Sequence, residues 1–438
     1  VIFSNVYPDP SASAAGVRTR FLLESLAQDV EFGPIRYATG AAPKENDPRK
    51  VNITQELKQH EIDVSYVPLN DSTKIEKYLQ SMESIGMAVF DRFYAEEAYS
   101  FAIQKADPKA ALILDMQDMH SLRSGRQKIA KEWSKHSCQD PLECLSDVMA
   151  YRPSADDPHL LRELASIHRS DLTLVCSPFE LDLLTNFYNI PNSKVCLTSF
   201  FVPPPPVVSE GNKESNHEFV FCGGFRHEPN VDAVHILLAL WPRIRSELPT
   251  AKLHIHGAYC PPSISQCHKP AEGIYVHGFT ESLQDIFQPR RILLAPLRFG
   301  AGIKGKIIDA WRAGMPVVTT PIGSEGMTLA NGEFGGVVAS TLEDFCHGIV
   351  DLANNPQLFQ EEQQKAYEVL SRLFVHRDAN DRLWKSVRDR LINVRLNLEE
   401  RRKSDYIRAM LWHSTARSTE YFSKWIELKE NDRRKDPK

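Results

Sequence analysis

Ala295-Pro-Leu-Arg-Phe-Gly-Ala-Gly-Ile-Lys-Gly-Lys-Ile-Ile-Asp-Ala-Trp-Arg-Ala-Gly-Met-Pro-Val-Val-Thr-Thr320 reads as a strand end, a glycine loop, a helix, a Gly-x-Pro turn and a second strand. Gly300, Gly302 and Gly305 let the backbone approach a ligand closely and set N–H groups at a helix N-terminus, where the dipole favours an anion. Lys304 and Lys306 add two cations, so the loop suits a phosphate or diphosphate. Two familiar patterns are nearly met and fail. A P-loop needs Ser or Thr after its lysine to hold Mg²⁺, and Ile307 stands there. A dinucleotide fingerprint needs an acid at the end of the next strand; here that strand ends Thr319-Thr320 and Glu325 comes late.

Working outward, short apolar runs alternate with amphipathic helices on both sides of the loop, as in doubly wound parallel sheets. Strands are predicted in the first half at about 1–6, 87–91, 111–115, 172–177 and 195–200, with a helix from about Val17 to Asp29. In the second half they fall at about 219–222, 252–256, 274–277, 292–295 and 316–319. Four consecutive prolines, Pro203 to Pro206, and the polar run to His217 separate the halves as a linker. From about Ala379, dense charge with Leu383, Val387, Leu391, Val394 and Leu398 at helical spacing predicts a long amphipathic helix packing back across both domains. The expected architecture is two Rossmann-like domains, 1–205 and 218–378, a linker at 206–217 and a helical extension at 379–438.

The totals exclude some classes. Lys and Arg number 52 against 57 Asp and Glu, a net charge of −5 that gives no sign of nucleic-acid binding. No apolar run approaches the roughly 20 residues of a membrane span. The eight cysteines read as reduced thiols of a cytoplasmic protein. Cys176 and Cys222 fall in strand-like runs, and Cys260, Cys267 and His268 read as loop residues without a metal. The opening Val1 suggests a start that is incomplete, so a targeting segment is left open.

The stretch resembles the donor-binding segment of the retaining glycosyltransferases of family 4, the group 1 transferases. The resemblance extends through Pro321-Ile-Gly-Ser-Glu-Gly-Met327, Phe219-Val-Phe-Cys-Gly-Gly-Phe-Arg-His-Glu-Pro-Asn230, Leu253-His-Ile-His-Gly257 and Val276-His-Gly-Phe-Thr280. A subgroup also shares Ser13-Ala-Ala-Gly-Val-Arg18, Leu114-Asp-Met-Gln-Asp-Met-His120 and Arg417-Ser-Thr-Glu-Tyr-Phe-Ser-Lys-Trp425. The resemblance implies a GT-B fold, with an acceptor-side first domain facing a nucleotide-sugar-binding second domain across a cleft.

Roles carry over by position. The family's Glu-x7-Glu pair falls on Ala301 and Asp309, so Asp309 is expected at the ribose hydroxyls while the first acid is missing. Backbone N–H groups around Gly302, with Gly300 and Ile303, are expected to substitute for it. Arg226, after Gly223-Gly224, is expected at the diphosphate with Lys304 or Lys306. The base is expected against Gly278 and Phe279. In the first domain, Ala15, Gly16 and Arg18 are expected to meet the donor. His120 either contacts the sugar or takes a proton, with Asp118 beside it. Asp115 and Asp118 as caps of the following helix stay open as an alternative. Phe90-Asp-Arg-Phe-Tyr-Ala-Glu-Glu97 also matches the subgroup, with no role assigned. The expected reaction is retaining transfer from a UDP- or GDP-linked sugar to a glycan, lipid or protein hydroxyl, without metal or other cofactor. A non-catalytic scaffold of the same fold and a nucleotide-sugar epimerase are the competing readings.

Overall fold

The computed structural model describes residues 1–10, 14–41, 48–69, 71–135, 140–205, 217–280, 282–375 and 382–414. Its first sheet contains β1 (Ile2–Ser4), β2 (Arg36–Thr39), β3 (Asp63–Tyr66), β4 (Met87–Asp91), β5 (Ala111–Asp115), β6 (Leu172–Val175) and β7 (Val195–Leu197). The order is β3-β2-β1-β4-β5-β6-β7, all parallel. The second contains β8 (Glu218–Cys222), β9 (Lys252–His256), β10 (Ile274–Gly278), β11 (Ile292–Ala295), β12 (Val317–Thr319) and β13 (Gly336–Val338). Its order, β10-β9-β8-β11-β12-β13, is again fully parallel. Both sheets therefore reverse order beside their first strand, between β1 and β4 and between β8 and β11. Such switch points open a crevice at the strands' C-terminal ends.

The central strands are continuous apolar runs because helices cover both faces: every residue of β5 and β11 is buried. The sequence reading misses β2, β3 and β13. Asp63-Val-Ser-Tyr66 is a largely exposed edge strand, and β13 has three residues, so neither carries a strong apolar signal. Helix starts follow local chemistry. Asp157 caps Pro158–Arg169, Thr341 caps Leu342–Asn354 and Asn355 caps Pro356–Leu373, each through its side-chain oxygen.

The chain crosses between domains twice, and the crossings pair. Val202 N–H donates to Phe374 C=O at 2.9 Å, and Val202 bridges Val375 in parallel. Phe200 and Val202 already belong to the second domain's core, so that core begins before the prolines. The expected linker falls almost entirely on residues outside those described. The C-terminal extension differs from expectation. It is broken into helices over Arg382–Leu396, Leu398–Ser404 and 406–414, rather than forming one. Trp384, Val387, Leu391, Val394 and Leu398 pack with Ile2, Leu22, Leu23 and Tyr37, so this part of the chain returns to the first domain alone. Ion pairs onto buried carboxylates, Arg402 with Asp171 and Arg388 with Asp29, fix it there. The Arg417–Trp425 motif lies outside the described residues.

The domains share apolar core as well. Ala130, Leu142, Cys144, Leu145 and Val148 of the first half cluster with Phe219, Leu237, Leu294 and Phe345 of the second. No helix is long and apolar enough to cross a membrane among the described residues.

Candidate active site

The glycine loop follows β11 and leads into the helix Gly305–Arg312, which has no side-chain cap on its first turn. Its small residues are there because the first domain presses on them. A Cβ on Gly302, whose φ is +66°, would lie 2.9 Å from Asp118 Cβ. One on Gly305 would lie 2.8 Å from Ala14 Cβ. Ala14 begins the helix Ala14–Ala27, so the Ala14-Ala15-Gly16 start meets the glycine loop directly; Ser13 lies outside the described residues. Gly16 is required by its own surroundings, since a Cβ there would sit 1.9 Å from the Asp9 carbonyl oxygen.

The loop is tied down from both domains. Arg126, fully buried on the first domain's helix His120–Trp133, pairs bidentately with Glu325 at 2.8 and 2.7 Å and donates to Gly300 C=O at 2.9 Å. Gly302 N–H donates to Glu180 Oε1 at 2.9 Å, and Lys304 Nζ donates to Gly302 C=O at 2.8 Å. Ala301 packs its methyl against the first domain's core, and Ile303 packs into the second's. Two expectations change here. The Gly302 N–H already has a carboxylate partner, and Lys304 is buried and turned onto the loop's own backbone. Burial lowers the pKa of Lys304, with Glu325 opposing that shift.

Other groups of the second-domain rim are differently disposed. Lys306 donates to Asn230 Oδ1 at 2.6 Å and lies over the Phe221 ring at 4.2 Å; burial lowers its pKa to about 8. Asn230 in turn donates to Gly224 C=O at 2.8 Å, and the space beside Gly224 is open. Arg226 is exposed, stacked on Tyr259 with 3.6 Å from guanidinium to ring centre. Asp309 lies on the helix Gly305–Arg312, where burial raises its carboxyl to about 6 against the opposing pull of Arg312. Gly278, φ +71°, has open space where a Cβ would be, and Phe279 beside it is half exposed.

On the first domain, Asp118 makes ion pairs with His120 at 3.3 Å and Arg123 at 3.1 Å. Burial opposes its charge, but Arg123 and His120 prevail and hold the carboxyl well below its usual range. Neither Asp115 nor Asp118 caps the helix His120–Trp133. Glu163 does so, accepting from His120 N–H at 2.6 Å and Ser121 N–H at 3.2 Å. The His120 ring stands edge-on to Phe93, 5.4 Å away, with Tyr94 at 6.2 Å. The unassigned Phe90–Glu97 run thereby gains a place. Phe93 and Tyr94 wall His120, Arg92 donates to Tyr94 Oη at 2.8 Å, and Glu96 binds Arg169. Arg92 and Gln117 hold positive φ, +71° and +63°, at the ends of adjacent strands, the kind of strained backbone found at sites. Arg18 is only 2% exposed. Its guanidinium bonds Asp115 and the carbonyls of Thr198 and Ser199, placing it in the frame beneath the cleft. The two rims face one another. His227, beside Arg226, has its pKa lowered by burial and then by the nearby Arg123 cation.

Residues 216–355 match the family model described as glycosyl transferases group 1. The second domain is thus similar to the group 1 glycosyltransferases. No curated protein matches by sequence. Sucrose-phosphate synthase of Thermosynechococcus elongatus is similar in structure, with TM-score 0.60, 13% identity, and coverage of 91% of this chain and 98% of that one. HepE of Anabaena, solved with UDP, gives 0.60 at 11% identity over 90% and 99%. TarM of S. aureus, solved with fondaparinux, α-GlcNAc-glycerol and UDP, gives 0.52 at 13% identity over 74% of this chain. The chain spans 58% of TarM's length. At these identities the likeness shows the GT-B fold and no more.

The sequence reading does not single out Arg126, Glu180 or Glu163, names Glu325 only as an acid too late for a dinucleotide site, and gives Arg92 no role. Glu180 follows Ser177-Pro178 and resembles an ordinary helix start. Arg126 and Glu163 lie on amphipathic helices, where a charge ordinarily reads as solvated.

Proposed function

We propose that the chain is a retaining glycosyltransferase that moves a sugar from a nucleoside-diphosphate donor to an acceptor hydroxyl. The observation that carries the reading is the second-domain rim: an uncapped helix N-terminus with Lys306 on its first turn, Asp309 one turn on and exposed Arg226 opposite Tyr259. The helix N-terminus, Lys306 and Arg226 address the negative charge that develops on the departing diphosphate, a preorganised arrangement of the kind that dominates such catalysis. Asp309 accepts the ribose hydroxyls, and the base lies against Gly278 and Phe279. Lys304 serves by holding the loop.

Across the cleft, Asp118 orients His120 toward the reacting sugar or the acceptor hydroxyl. With no enzyme nucleophile assigned, the acceptor attacks from the leaving-group face and its proton passes to the departing phosphate. Transfer needs no metal in this reading.

UDP is the first nucleotide to try, since HepE and TarM are both described with it. UDP and UDP-glucose should raise the melting temperature, and donor turnover should persist in EDTA. Arg226→Ala and Lys306→Ala should each weaken UDP binding by about ten- to a hundred-fold, the worth of a charged hydrogen bond, with the protein still folded. Unchanged UDP affinity in both variants would defeat this assignment; an absolute Mn²⁺ requirement would defeat the metal-free mechanism.

A further inference from the structure

Glu180 is a buried acid that touches both rims of the cleft. It lies on the short helix Pro178–Asp182 behind β6 and is fully buried. Its Oε1 accepts two backbone hydrogen bonds from opposite rims, from Met119 N–H at 3.1 Å and from Gly302 N–H at 2.9 Å. Met119 immediately precedes His120, and Gly302 is the loop glycine whose absent Cβ faces Asp118. One carboxyl oxygen thus joins the backbone of the Asp118–His120 segment to the backbone of the glycine loop. Its other oxygen, Oε2, is buried without a partner.

We propose that Glu180 is a positioning residue that holds the glycine loop in register with the Asp118–His120 pair for transfer. The proposal rests on the transferase reading above. The loop cannot supply this tie itself, because residue 301 is alanine and its methyl packs into the first domain's core. Lys304 fixes the other side of the same glycine through Gly302 C=O. The ionisable groups facing Glu180 are Asp118, Glu325, Lys304 and Cys176. Burial, reinforced by Asp118, pushes its pKa up to about 8, so the group is a neutral acid at pH 7. Glutamine is then its close mimic: the amide oxygen accepts both N–H groups, and the NH₂ replaces the hydroxyl. Alanine instead strands two buried N–H groups.

Hydrogen exchange on the full chain tests the tie without requiring activity. In Glu180→Ala, peptides covering 116–122 and 298–304 should exchange faster together, by about ten-fold or more, while 342–354 stays as in wild type. Glu180→Gln should leave both peptides protected. In turnover of UDP-glucose, Glu180→Ala should lower kcat with little change in KM, and Glu180→Gln should restore kcat. Exchange that changes at one rim only, or at neither, overturns the proposal, as does a glutamine variant as impaired as alanine. If the wild-type chain neither binds nor turns over UDP-glucose, the transferase reading fails. The coupled exchange of the two peptides then still decides the tie.

Discussion

The two rims of the cleft use charge in opposite ways. On the first-domain rim the charges are paired, Arg18 with Asp115 in full burial, Asp118 with His120 and Arg123, and Arg92 with Asp91. On the second-domain rim, Arg226 rests on an aromatic ring and the Asp309 carboxyl has only Arg312 as a nearby charge, while Lys306 has one neutral partner. The first rim is built as a frame, and the second is where the proposed donor would sit. A buried pair holds direction and distance because breaking it strands a charge in low dielectric, whereas a group kept from full pairing retains affinity for a ligand.

The largest test strikes where frame and loop meet. Arg126→Ala leaves Glu325 buried without its bidentate partner and should destabilise the protein by about 3–5 kcal/mol in urea unfolding. A loss near zero would mean that water reaches the junction, and the frame side of the comparison would collapse.

The ready rim predicts the opposite sign. Asp309 has a folded pKa raised from 3.8 to about 6. Its ionised form at pH 7 therefore opposes folding, and protonation relieves this as pH falls from about 6 to 3.8. Asp309→Asn should stabilise the protein without added nucleotide by about 2 kcal/mol at pH 7. That gain should disappear near pH 3.8, and UDP binding should weaken. A variant less stable than wild type at pH 7 would place Asp309 in the frame instead.

A smaller effect concerns the sheet edge beside the Gly278–Phe279 turn. His254, His256 and His277 stack, with ring centroids 5.3 and 4.3 Å apart across the pairs. Burial lowers the pKa of His254 to about 4 and that of His256 to about 3, with the neighbouring cations and histidines assisting. The unfolded chain takes up these protons from its ordinary value near 6.5 downward while the fold resists, so stability falls as pH drops from about 6.5 to 4. His256→Asn should flatten that acid limb by about 1–3 kcal/mol at pH 4. An unchanged slope would show that these rings protonate freely.

Much of the frame is legible in the chain, and the reason is local. Short continuous apolar runs such as Ala111–Leu114 and Ile292–Ala295, bounded by turn residues, read as interior parallel strands, and Gly300-Ala-Gly302 with Lys304 and Lys306 marks a phosphate-type loop at a helix start. Lys304 shows where that legibility stops. Sequence places two cations on the loop, but only folding turns one inward onto Gly302 C=O and leaves the other near the rim. The C-terminal heptads likewise announce a helix and not its destination, since amphipathicity specifies a buried face without naming what buries it.

By itself, then, the sequence determined the alternating strands and helices, the glycine loop and the cations and acid around it, because these follow from nearest-neighbour periodicity and backbone freedom. Only the tertiary structure decided that Arg126 and Glu180 reach across from the first domain to hold that loop. Gly302 lies 122 residues from Glu180, and Glu325 lies 199 from Arg126. A hydrogen bond over such a span has no local signature and exists only once both sheets have brought their C-terminal edges together.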